Sequence, residues 1–87
     1  MPEILVFYVT DTSNKNRKLE TEINFQESDY RLYALICYYG GGQCGHYIAY
    51  TCDNGKWYKF NDAFVTEDPP DYNHAYILFY LKLGNSI

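Results

Sequence analysis

No stretch of this chain approaches the length of a membrane span. Its first residues, Met1 to Val9, have neither the basic n-region nor the small-residue cleavage site of a signal peptide, so no membrane partner is expected and the chain reads as cytoplasmic or nuclear. Cysteine is scarce. Cys37, Cys44 and Cys52 are odd in number and lack the spacing of a disulfide scaffold, which fits a reducing compartment. Positive charge is scarce too: 7 Lys and Arg against 11 Asp and Glu leave a net charge of −4, which argues against nucleic acid as a partner. The only basic cluster, Lys15-Asn16-Arg17-Lys18, lies in a polar stretch and reads as a solvated loop. Internal repeats, low-complexity tracts and a helical apolar period are missing as well.

Aromatic residues, by contrast, are abundant. The 87 residues are 47% hydrophobic and 20% aromatic, with 11 tyrosines, far too apolar for a disordered tail. Tyrosine favours strands and can bury its ring while its hydroxyl stays wet, so a sheet with a half-buried face or a binding groove is expected. The length allows one small domain, residues 1–87. If that domain is part of a larger unit, its uncovered apolar surface should seek a missing lobe, or should self-associate or exchange strands.

Glu3 to Val9 is rich in branched and aromatic residues and predicts a buried strand. Thr10 to Lys18 predicts a loop, and Leu19 to Phe25 alternates as a half-exposed strand does. Tyr30 to Tyr39 predicts a long strand ending at Gly40-Gly41-Gly42, a conformationally free loop. His46 to Cys52, the turn Asp53-Asn54-Gly55 and Lys56 to Phe60 predict an antiparallel hairpin. Pro69-Pro70 marks a loop, and Ala75 to Leu83 is the last strand. The expected fold is mostly β, an antiparallel sheet of about six strands.

Two features carry chemistry. The segment Gly40 to Tyr47 places four glycines around a histidine, His46, at the start of a strand, where side-chain bulk is low and a general base is well placed. The structural alternative is an ordinary strand histidine. The second feature is Asn61-Asp62. With the hairpin turn centred near Asn54, His46 falls opposite a residue near Asp62, so an Asn or Asp oxygen there could accept an imidazole N–H and fix its tautomer. The plainer reading of Asn61-Asp62 is a turn that ends the strand.

Gly45-His46-Tyr47-Ile48-Ala49-Tyr50, Trp57 to Val65 and Ala75 to Tyr80 together resemble the histidine box of the ubiquitin-specific proteases. Pro2 to Val9, Ile23-Asn24-Phe25 and Tyr30 to Tyr38 resemble the strands that precede it. The resemblance implies the C-terminal β lobe of a papain-like cysteine peptidase that cleaves after the C-terminal Gly-Gly of ubiquitin, with ubiquitin or a ubiquitinated protein as partner. It implies His46 as general base, Asn61 as orienter and Asp62 as an assisting acid. Gly41, Gly42 and Gly45 would border the channel for the ubiquitin tail, with Tyr47 lining it.

The departures shape the expectation. The family's nucleophilic cysteine belongs to an upstream motif in an opposing lobe, and no such motif occurs here. The zinc-binding Cys-x-x-Cys pairs are missing, so neither metal nor other cofactor is expected. Cys44, two residues from His46, leaves no room for a carbonyl between thiol and imidazole, while Cys37 and Cys52 read as core residues. The chain alone is therefore expected to be inactive. The alternative is a non-catalytic ubiquitin- or protein-binding module on the same fold.

Overall fold

The computed structural model describes residues 3–9, 19–41 and 44–84. Among them are seven strands, β1 (Ile4–Tyr8), β2 (Glu22–Phe25), β3 (Ser28–Gly41), β4 (Cys44–Asp53), β5 (Lys56–Asn61), β6 (Phe64–Glu67) and β7 (Ala75–Lys82), with one short 3-10 turn at Tyr72–His74. All pairings are antiparallel, in the order β1-β7-β3-β4-β5-β6, with β2 also beside β3. No helix among the described residues is long and apolar enough to cross a membrane. The expected mostly β antiparallel sheet is the observed one.

Short turns close the hairpins. Asn54 and Gly55 have φ of 53° and 79°, the left-handed pair that matches the twist of the strands they join. Gln26 and Glu27 do the same between β2 and β3 with φ of 51° and 66°, although neither is glycine. Asp62, φ 54°, begins the turn between β5 and β6.

The core lies on one face of the sheet. Tyr30, Leu32, Leu35 and Cys37 of β3, Ile48 and Tyr50 of β4, and Ala75, Leu78 and Tyr80 of β7 are buried there. Strict alternation cannot place both Leu32 and Leu35 on one face. A register shift between Leu32 and Ala34 supplies the extra residue. Two segments cover this face. Leu19 and Tyr72 pack on the core, the Tyr80 hydroxyl donates to the Glu20 carbonyl at 2.6 Å, and the Leu32 amide donates to the Thr21 carbonyl at 2.8 Å. The opposite face carries Ile4, Val6, Tyr8, Tyr47, Phe60 and Val65, all exposed.

Several expectations change. β1 is not buried: among the described residues it is an edge strand, with a neighbour on one side only. The Leu19–Phe25 strand shortens to Glu22–Phe25, and Phe64–Glu67 adds a strand that the turn at Asp62-Ala63 folds back on β5. The glycine-rich segment is not a free loop at its ends. Gly40 and Gly41 pair with Gly45 and Cys44 inside the β3–β4 ladder. Gly42 and the expected loop at Thr10 to Lys18 lie outside the described residues.

Candidate active site

The β4–β5 hairpin builds the site. Tyr50 faces Lys59 in its register, so His46, Ile48 and Tyr50 share a face with Lys59 and Asn61. That face is the core face, but the ladder stops at the pair Ala49 and Phe60, and His46 stands beyond it, exposed at the sheet's end. The two-residue turn also moves the register by one from the sequence estimate. Extended past its end, the ladder would bring His46 opposite Ala63 rather than Asp62.

Asn61 reaches diagonally across this gap. Its Oδ1 lies 2.8 Å from His46 Nε2. An amide oxygen only accepts, so Nε2 carries a proton, and a neutral ring bonded this way has its lone pair on Nδ1. The arrangement sets which nitrogen faces Asn61, with Nδ1 directed away from it. Asp62 takes the left-handed turn conformation, and the imidazole's partner is Asn61.

Two of the glycines make room for an aromatic ring. Gly40 and Gly45 face each other, and a Cβ on either would enter the ring of Tyr38. The ring lies across the pair and packs on Tyr47 at a centroid distance of 4.8 Å and on Tyr76 at 6.2 Å. Gly45 and Tyr47 therefore sit on the face opposite His46, next to it along the strand. Gly41 lies in β3, opposite Cys44.

A second cluster escaped the sequence reading. Tyr39 is the register partner of His46, and its hydroxyl donates to Asp71 Oδ2 at 2.7 Å. His74 Nδ1 lies 3.0 Å from the same oxygen, and its ring lies over Tyr39 at a centroid distance of 4.5 Å. Cys37, fully buried, donates its thiol to the Asp71 carbonyl at 3.1 Å. Burial pushes the Asp71 carboxyl up, but the Tyr39 hydroxyl and His74 outweigh it and hold the group below its ordinary value. Burial, and then the bond to Asp71, push the Tyr39 hydroxyl well above an ordinary phenol. The i,i+3 spacing of Asp71 and His74 was the available signal.

Among the described residues no group of three or more His, Cys, Asp or Glu side chains could hold a metal ion. An open groove of about 330 Å³, lined by Trp57, Lys56, Glu67 and Pro69, lies at the other end of β5 from Asn61.

The family profile described as "Ubiquitin carboxyl-terminal hydrolase" matches residues 1–80. Ubiquitin carboxyl-terminal hydrolase 5 of Arabidopsis thaliana is 34% identical over 111 residues, covering 99% of this chain and 12% of its own. Of solved structures, the SAGA Ubp8/Sgf11/Sus1/Sgf73 DUB module contains a chain that is 27% identical with a TM-score of 0.74, over 97% of this chain and 24% of that one. The SAGA DUB module bound to monoubiquitin shares the fold at 24% identity and a TM-score of 0.75, over 97% and 24% of the two chains. This chain thus spans about an eighth of the length of that curated relative.

Proposed function

The chain belongs to the ubiquitin carboxyl-terminal hydrolase family, and we propose that it is the C-terminal, base-carrying part of such an enzyme's catalytic domain. The His46–Asn61 pair carries this reading. In it, His46 Nδ1 accepts the proton of a cysteine thiol supplied by a separate lobe. The thiolate attacks the carbonyl carbon of the last glycine of the ubiquitin Gly-Gly terminus, and the imidazolium gives its proton to the departing amine. Water then hydrolyses the thioester left on the cysteine. Asn61 keeps Nε2–H engaged throughout, so the ring cannot present the wrong nitrogen. Asp62, one residue on, adds negative charge at the site's rim. In this reading Gly45 and Tyr47, next to His46 along β4, and Gly41 across the ladder border the passage of a glycine-only peptide end. Gly42, given the same role, lies outside the described residues. Ubiquitin and the nucleophile-bearing lobe are the partners this reading requires, and the chain by itself turns over nothing.

A chimera tests it. This chain would replace the matching segment of the Arabidopsis hydrolase 5 relative, and turnover of a fluorogenic ubiquitin C-terminal amide would be followed. Restored turnover that falls about 10³-fold in His46→Ala is expected. A folded chimera without turnover, or one indifferent to His46→Ala, overturns the reading and leaves the non-catalytic binding module in its place. The isolated chain should show no turnover in the same assay.

A further inference from the structure

The two edges of the sheet are unlike. β6 has four residues, ends in Glu67-Asp68 and runs into Pro69-Pro70. A second copy laid antiparallel along β6 would bring Glu67 of each chain beside the other's Phe64, next to Asp62. Acidic residues and prolines at a strand end are the usual devices that blunt an edge.

β1 carries none of them within its span, and Pro2-Glu3 stand just before it. Ile4-Leu5-Val6-Phe7-Tyr8 contains no charge, no proline and no bulge, and it pairs with β7 residue by residue. The hydrogen bonds at its two ends fix which groups are spent. The Glu3 carbonyl accepts from the Lys82 amide and the Val9 amide donates to the Tyr76 carbonyl, each at 2.8 Å. Residues 3 and 9 therefore point their main-chain groups at β7, and alternation gives the same role to Leu5 and Phe7. Ile4, Val6 and Tyr8 turn their N–H and C=O groups to the open edge. Their side chains are 47%, 45% and 65% exposed.

We infer that this edge takes a second copy of the chain, β1 against β1, antiparallel about a two-fold axis at Val6. The register follows from the pattern. Val6 faces Val6 and Ile4 faces Tyr8, and these are the residues whose main-chain groups point outward, so every facing pair exchanges both of its bonds. Between them Leu5 faces Phe7. Aliphatic and aromatic side chains thus meet on both faces of the new ladder, the cross-strand combination that favours pairing. An isologous contact needs self-complementarity, and an uncharged strand with its centre on the axis has it despite the chain's net charge of −4. A 5-residue edge is small, so the dimer is weak, with Kd on the order of 10–100 μM. None of this depends on the catalytic reading.

Sedimentation velocity over a concentration series, with amide exchange read by NMR, tests the pairing. Association is expected to rise with concentration while the amides of Ile4, Val6 and Tyr8 gain protection. Those of Leu5 and Phe7, already bonded to β7, should change little. Val6→Pro removes an N–H that β7 does not use and should weaken association at least tenfold with the circular dichroism of the sheet retained. Val6→Lys, at an exposed position, places two like charges on the axis and should do the same if the proline variant fails to fold. A monomer at all concentrations overturns the inference. So does association that survives both variants, or new protection at Phe64–Glu67 instead of β1.

Discussion

Two histidines stand on one face of this sheet, each held by a single side-chain oxygen, and the bonds have opposite consequences. His46 gives Nε2–H to the neutral amide of Asn61 at the sheet's exposed end. His74 meets the carboxylate of Asp71 through Nδ1, shares that oxygen with the Tyr39 hydroxyl and lies on the Tyr39 ring. A neutral acceptor orients the ring without placing a charge beside it. A carboxylate that accepts from two partners joins three side chains, and the Cys37 thiol donates to the Asp71 carbonyl, tying that residue to the core. The first arrangement suits a base, the second a clamp on the segment that crosses β3.

The sharpest test of this contrast is on turnover. In the chimera, Asn61→Ala should lower turnover by about 10-fold to 10²-fold, because the ring loses its tautomer and aim. His74→Ala should stay within about twofold. Equal effects would erase the distinction between base and clamp.

Stability should invert the ranking. Asp71→Asn leaves the Tyr39 hydroxyl a weaker acceptor and removes the charge facing His74, a loss of about 1.5–3 kcal/mol in denaturant unfolding. Asn61→Ala breaks one exposed bond and should cost about 0.5–1 kcal/mol.

The smallest effect is in pH. The Asp71 carboxyl sits below its ordinary 3.8, so its contribution to stability is complete above that value and is lost as pH falls through the lower folded value. The Tm gap between wild type and Asp71→Asn should therefore stay open at neutral pH and close in acid. A gap that widens in acid would contradict the assigned direction.

The hairpin carrying His46 was legible because Asn54-Gly55 is a strong turn signal, and a short turn fixes a register over a few residues. That register was off by one, yet Asn61 still meets the imidazole, since its side chain reaches diagonally. The turn at Gln26-Glu27 was not legible, because neither residue advertises a left-handed backbone. β1 was read as buried because composition reports how apolar a strand is and cannot report whether anything covers it. The Asp71 cluster was missed for a related reason. It joins residues 37, 39, 71 and 74, and only the β3–β7 pairing, far apart in sequence, brings them together.

The Tyr38 ring, lying where side chains at Gly40 and Gly45 would have to stand, turns three positions into one heritable unit. A side chain at either glycine needs the ring to shrink or to swing aside. Tyr38→Ala followed by Gly45→Ala is thus an open path, whereas the reverse order crosses a crowded intermediate whose ring must leave its Tyr47 and Tyr76 neighbours. Descendants of this chain should lose the tyrosine first and the glycines afterwards, and that order of events is written into the sheet by one aromatic side chain.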